Sequence, residues 1–89
     1  MLFVVIKELN FEKTKDLIMT MEKLKPVEGV KIIADYVLAN GKGVAIIEAE
    51  SIEAVFKHLA PTVQFFKSLE VSPAMPCKEL REMVRELFK

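Results

Sequence analysis

Two segments of the chain are almost continuously apolar, and they predict a small sheet that needs cover on both faces. The segments are residues 2–6, Leu-Phe-Val-Val-Ile, and residues 44–47, Val-Ala-Ile-Ile. A strand sends successive side chains to opposite faces, so a run without polar alternation is typical of a strand that is buried on both sides. The helices predicted below are enough for one face only. We therefore expect a second copy of the chain to cover the other.

The rest of the apolar pattern predicts four strands and three helices. The predicted strands span residues 2–7, 30–39, 43–49 and 68–74. The predicted helices span residues 11–25, 52–60 and 77–88, with a separate helical turn over 62–66. Asn10 and Ser51 are expected to cap the first two helices, because their side-chain oxygens can accept from free backbone N–H groups.

A hairpin is predicted between the second and third strands, and it fixes the expected pairing of their residues. Asn40-Gly41 is typical of a two-residue turn, since both positions tolerate positive φ. Such a turn would place Tyr36 opposite Ala45 and Asp35 opposite Ile46. Pro73 cannot donate to a neighbouring strand, so the fourth strand is expected at an edge.

The order of these elements predicts an α+β fold in one domain, residues 1–89. Two right-handed crossovers around a hairpin give the ferredoxin-like βαββαβ arrangement, a four-stranded antiparallel sheet in the order 4-1-3-2, followed here by a C-terminal helix.

Strand alternation then assigns side chains to two faces of the sheet. The face expected to contact the helices carries Leu2, Val4, Ile6, Ile32, Ala34, Tyr36, Leu38, Ala45, Ile47, Leu69 and Val71. The opposite face is expected to carry Phe3, Val5, Lys7, Ile33, Asp35, Val37, Val44, Ile46, Glu48, Glu70 and Ser72. This second face is an apolar surface with a few ionisable groups. We expect it to pack against its own copy in a homodimer, because a patch of that size is rarely left in water.

Charge and composition exclude several classes of function. Thirteen basic residues balance thirteen acidic ones, for a formal net charge of +0. No basic stripe appears, so neither nucleic acid nor an anionic membrane surface is expected as a partner. No segment approaches the ~20 apolar residues of a membrane span, and the N-terminus lacks the basic segment of a secretory signal. A single cysteine, Cys77, fits a reducing cytoplasm, and together with the single His58 it predicts neither a metal site nor a cofactor site.

The two-sided strands and their order resemble the dimeric α/β-barrel superfamily, and within it a family of small uncharacterised prokaryotic domains. The residues that carry the resemblance are Gly29-Val30-Lys31, the third strand from Gly43 to Ala49, and Leu69-Glu70-Val71-Ser72-Pro73. The resemblance implies two ferredoxin-like sheets packed face to face. Members of the superfamily include small monooxygenases, isomerases, haem proteins and ligand-sensing domains, so the fold alone does not define an activity.

Three carboxylates are the candidates for chemistry. Asp35, Glu48 and Glu70 are expected on the apolar face, where an unpaired carboxyl group would have a raised pKa and could act as an acid or a base. The simpler expectation is that they pair with Lys7, Lys31 or the partner chain, or lie in solvent at the rim of the barrel. Lys7 is expected near Glu70. Tyr36 is expected to be a core residue, His58 a surface residue and Cys77 structural.

Two functions are compatible with this pattern. The favoured one is a non-catalytic homodimeric domain that binds a small apolar or amphipathic ligand between the sheets. The predicted ligand-binding residues are Phe3, Val5, Lys7, Ile33, Asp35, Val37, Ile46, Glu48 and Glu70. The alternative is a cofactor-independent oxygenase or isomerase that uses Asp35, Glu48 or Glu70 as its base.

Overall fold

A computed structural model describes all residues, 1–89, and contains four strands and three α-helices. The strands are β1 (Leu2–Leu9), β2 (Val30–Val37), β3 (Lys42–Ala49) and β4 (Phe66–Ala74). The α-helices are α1 (Thr14–Lys23), α2 (Ile52–Leu59) and α3 (Cys77–Leu87). Short 3-10 turns over Phe11–Lys13 and Val63–Phe65 precede α1 and β4.

The strands form one antiparallel sheet in the order β2-β3-β1-β4, which is the predicted 4-1-3-2 order counted from the other edge. β4 is an edge strand, as Pro73 predicts. The predicted cap of α2 is present, because the side chain of Ser51 accepts from the backbone N–H of Ala54 at 3.2 Å. The side chain of Asn10 accepts from the backbone N–H of Glu12 at 3.2 Å, but it caps the 3-10 turn before α1 and not α1 itself, whose N-cap is Lys13. The chain is α+β with three helices, in agreement with the sequence pattern.

The core lies between the sheet and α2. Phe3 and Val5 of β1 face Ile47 of β3 on this side, and Val55 and Leu59 of α2 close over them. Phe3, Val5, Ile47 and Val55 are each at most 1% exposed. Burial of each such side chain stabilises the folded chain by roughly 1.5–3 kcal/mol. This side of the sheet, called the covered face below, therefore supplies most of the stability of the chain.

The predicted faces of β1 were wrong. The structure pairs Phe3 with Ile47 and Val5 with Ala45, so Phe3, Val5 and Lys7 are on the covered face. Leu2, Val4 and Ile6 lie on the opposite side, the open face. The reason is physical: an apolar run on both sides carries no polar alternation, so only its pairing with β3 reveals which side faces the helices.

The predicted hairpin register was also wrong, by one residue. The connection has three residues, Ala39 to Gly41, and Leu38 donates its backbone N–H to Lys42 at 2.7 Å. Gly41 has φ +86, the left-handed position of a three-residue hairpin loop. Tyr36 therefore pairs with Val44, and Asp35 pairs with Ala45.

An irregularity between Ile32 and Ala34 reverses the faces of the second half of β2. Ile32 is on the covered face as predicted, but Ala34 and Tyr36 turn to the open face, and Tyr36 is 65% exposed rather than in the core. Asp35 and Val37 turn to the covered side. An extra residue in one strand has this effect because side chains alternate with a period of two.

α3 has no packed neighbour within its own chain. All of its residues are exposed, including the apolar Leu80, Met83, Val84 and Leu87, which share one side of the helix. With α3 extended, the chain measures 53 × 31 × 16 Å. None of the helices is both long and apolar enough to cross a membrane.

Candidate functional site

A cavity of about 310 Å³ lies between the covered face and the end of α1. Its floor consists of sheet residues, Val30, Ile32, Ala45 and Ile47. Its wall comes from the end of α1 and the segment that follows, namely Met21, Leu24, Pro26 and Val27. The cavity has the apolar lining that is typical of small-molecule sites, and its volume lies at the small end of their range.

Four ionisable residues border this apolar space. Lys7 of β1, Asp35 of β2 and His58 of α2 come from three different elements, and Lys25 belongs to the segment after α1. The Lys7 ammonium nitrogen lies 3.7 Å from Oδ1 of Asp35. The charged atoms therefore combine with an apolar floor, which is the arrangement that holds an amphipathic molecule in one orientation.

The Lys7 side chain reaches the cavity because its cross-strand neighbour on β3, a glycine, has no side chain. Lys7 pairs with Gly43, and a Cβ on Gly43 would lie 2.7 Å from Cε of Lys7 and 3.0 Å from its Cγ. The stem is consequently buried against the sheet, and the whole side chain is only 13% exposed. The ammonium group also lies 5.3 Å from the centre of the Phe66 ring, a distance at which a cation is attracted to an aromatic face.

His58 is half-buried beside the cavity, not on the surface as predicted. Burial lowers the pKa of His58, the positive charge of Lys7 lowers it further, and the carboxylate of Asp35 opposes them. His58 is therefore neutral at neutral pH, so its ring offers one N–H donor and one acceptor nitrogen. The spacing of Val55, His58 and Leu59 in the sequence indicated that His58 shares the buried side of α2, because residues three and four apart lie on one side of a helix.

The predicted ligand-binding residues separate into four groups. Lys7 and Asp35 meet at the cavity, whereas Phe3 and Val5 are buried in the core. Ile33 lies in the irregular part of β2 and is 50% exposed, and Val37 is 69% exposed near the hairpin. The remaining predicted residues, Ile46, Glu48 and Glu70, lie on the open face.

The three candidate carboxylates do not meet. Asp35 lies on the covered face, and Glu48 and Glu70 are exposed on the open face, on strands that are separated by β1. The prediction that Lys7 lies near Glu70 was wrong. Glu70 pairs with Ile6 and therefore points to the other side of the sheet. Lys31 pairs directly with Glu48. Of the three, only Asp35 lines the cavity.

No group of three or more His, Cys, Asp or Glu side chains is placed to hold a metal ion. A second depression, of about 380 Å³, lies at the sheet edge beside Lys31, Glu48 and Glu50. It is open to solvent and carries three charged side chains, so its lining is less apolar than that of the first cavity.

Comparison with protein families matches residues 1–88 to a domain of unknown function, DUF3303. Comparison with curated proteins finds no match. The family match extends over nearly the whole chain, including all four strands, the three helices and every residue that borders the cavity. The chain therefore belongs to the DUF3303 family.

Proposed function

We propose that this protein is a homodimeric domain that binds a small amphipathic molecule in the cavity beneath α1 and α2. The observation that carries the proposal is the apolar cavity that ends at Lys7, Asp35 and His58. The proposed ligand site lies on the covered face, whereas the sequence pattern favoured the space between two sheets. Lys7 and Asp35, two of the predicted binding residues, belong to it.

The homodimer is supported first by the chain's excess surface. The accessible surface is 6817 Å², whereas a compact monomer of 10.1 kDa exposes about 5,300 Å². The radius of gyration is 15.3 Å, against about 12 Å for a compact domain of this length. Two chains together carry an excess of about 3,000 Å², which is within the range that permanent homodimers bury.

The open face has the composition of an interface. Val4, Ile6, Val44 and Ile46 lie on its two central strands. Charged pairs flank them, Lys31 opposite Glu48 at one end and Glu8 opposite Lys42 at the other. An apolar centre inside a charged rim is typical of surfaces that associate with a partner. We infer that a second copy packs here, sheet to sheet, as in the ferredoxin-like dimeric α/β barrels that the sequence resembles.

The exposed thiol of Cys77 is compatible with the cytoplasmic location that the single cysteine predicts.

For the enzymatic alternative, the separation of Glu48 and Glu70 from the cavity leaves Asp35 as the one candidate base at the cavity, and Asp35 already lies beside Lys7. The geometry therefore favours binding over catalysis.

The binding function is tested with a neutral fluorescent probe, N-phenyl-1-naphthylamine, and two matched variants. Ile32 lines the cavity, and Ile33 does not; both side chains are partly exposed, at 42% and 50%. We expect Ile32→Trp to fill the cavity and weaken probe binding about tenfold or more, because the probe loses its apolar contacts. Ile33→Trp should leave the affinity unchanged. Equal effects of the two variants, or no binding by the wild-type protein, would overturn the proposal.

A further inference from the structure

The Lys7 ammonium group is enclosed but incompletely paired. Its side chain is 13% exposed, and its one ionic neighbour, Asp35, is 3.7 Å away, which is too long for a hydrogen bond. None of the side-chain hydrogen bonds of the chain involves Lys7. A lysine ammonium has three N–H donors, and the ion pair with Asp35 leaves them without a hydrogen-bond acceptor in the chain. Because Lys7 lines the cavity, its ammonium group is available to donate to a bound molecule.

The charges that border the cavity favour an anionic acceptor. Lys7 and Lys25 are positive, Asp35 is negative, and His58 is neutral at neutral pH, which leaves one net positive charge. β3 contributes only Ala45 and Ile47 to the lining, so no further charge opposes it. A ligand with a single negative charge would balance the site, and the partly dry surroundings strengthen such a pairing.

The lining residues of the cavity indicate the chemistry and size of the rest of the ligand. Beyond Lys7, the cavity is bordered by Ile32 and Ile47 on the sheet and by Leu24 and Val27 opposite. At about 310 Å³ the cavity is at the lower limit of sites for drug-sized molecules. An aliphatic or aromatic body of roughly eight to sixteen carbon atoms is a suitable occupant.

We propose that the cavity binds a monocarboxylate with a short apolar body, whose carboxylate oxygens accept hydrogen bonds from the Lys7 ammonium group. This inference rests on the proposed function and names the ligand class of that site. Asp35 holds Lys7 in place when the site is free, and the incoming carboxylate forms the shorter, charge-assisted hydrogen bonds that Asp35 does not.

The test compares octanoate with 1-octanol, which have the same apolar chain but different head groups, by calorimetry on the full-length protein at neutral pH. We expect octanoate to bind about tenfold or more tightly than octanol, because charge-assisted hydrogen bonds are about twice as strong as neutral ones. Lys7→Met should reduce this preference to threefold or less. A far-ultraviolet circular dichroism spectrum identical to that of the wild-type protein shows that the variant is folded.

Two further variants sharpen the comparison. Lys57→Met removes the same charge from an exposed position on α2 outside the cavity, and it should retain the full preference for octanoate. Asp35→Asn removes the competing carboxylate, and it should raise the preference for octanoate over octanol above that of the wild-type protein.

The outcomes separate the two proposals. If wild-type protein binds the neutral naphthylamine probe but does not prefer octanoate, the carboxylate inference fails and the binding function stands. If it binds neither the probe nor the two octyl compounds, both proposals fail. An equal loss of preference in Lys7→Met and Lys57→Met would also overturn the inference, since it would reflect overall charge and not the site.

Discussion

The side chain of Lys7 lies directly over Gly43, and this close approach directs the ammonium group into the cavity. A Cβ at position 43 would lie 2.7 Å from Cε of Lys7, well inside van der Waals contact. The Lys7 side chain extends across β3 in this way, and its ammonium nitrogen lies 3.7 Å from Oδ1 of Asp35 on β2. A residue without a side chain on β3 thereby links a lysine on β1 to an aspartate on β2.

We predict that Gly43→Ala displaces Lys7 and reduces the selectivity for carboxylates. The methyl group requires the flexible stem to move, and a displaced ammonium group loses its alignment with a bound carboxylate. The preference for octanoate over octanol should fall about threefold or more, while octanol affinity changes little. Calorimetry with both compounds measures this ratio, and Ala49→Gly, which changes the same atoms at the other end of β3 outside the cavity, is the control. An unchanged ratio in Gly43→Ala would show that Lys7 does not depend on this path.

The hairpin loop is predicted to need a residue that tolerates positive φ at position 41. Gly41 has φ +86, and a Cβ there would lie 3.0 Å from the ring of Phe11. Gly41→Ala should lower the free energy of unfolding by about 1–2 kcal/mol, since left-handed backbone costs about that much for alanine. Gly41→Asn should cost less, because asparagine tolerates this conformation. Urea unfolding measures both variants, and an equal cost would assign the effect to Phe11 alone.

The depressed pKa of His58 predicts a stability that declines as the pH falls. Burial and Lys7 hold this pKa below that of the unfolded chain, about 6.5, so the unfolded chain binds more protons in the interval between the two values. The contribution is complete above about pH 6.5 and is lost as the pH falls through the folded-state value. Thermal unfolding from about pH 7.5 to about pH 5 should therefore be more pH-dependent for wild-type protein than for His58→Gln. Parallel curves would contradict a folded-state shift at His58.

α3 is predicted to contribute nothing to the fold of its own chain. Because none of its residues is buried, a chain that ends at Met75 should keep the sheet, the two other helices and the cavity. Its affinity for the naphthylamine probe should stay within about twofold of that of the full chain. Far-ultraviolet circular dichroism should show the loss of one helix only. Collapse of the remaining structure would mean that α3 packs on the sheet in solution.

The sequence predicted the elements of this fold more reliably than their faces. The helix cap at Ser51 and the edge position of Pro73 depend on local chemistry, so they were predicted correctly. The faces of β1 depend on pairing with a distant strand, and those of β2 on an irregularity beside Ile32 that two adjacent isoleucines do not reveal.

Only part of the candidate site was predicted, because its residues also depend on which face of the sheet they occupy. Lys7 and Asp35 were recognised as ionisable residues on apolar strands, but they were assigned to the open face. His58 was assigned to the surface because a helical stripe alone does not show how closely a neighbouring strand approaches. The cavity itself arises from the path of the chain after α1, which carries no periodic signal over residues 26–29.

The dimer is predicted to depend on the centre of the open face. Ile46 lies there, opposite Val4 on β1. Ile46→Lys places a charge in the middle of the interface and should yield monomers, because an unpaired buried charge is strongly unfavourable. Val63→Lys is the matched control, since Val63 is 43% exposed in the 3-10 turn before β4 and outside that face.

The most direct test of the account is the solution mass of the wild-type protein, measured by light scattering over a dilution series. We predict a constant mass of twice the 10.1 kDa chain down to low micromolar concentration, with Val63→Lys identical and Ile46→Lys at half that value. A wild-type protein that remains monomeric at every concentration would contradict the sheet-to-sheet dimer.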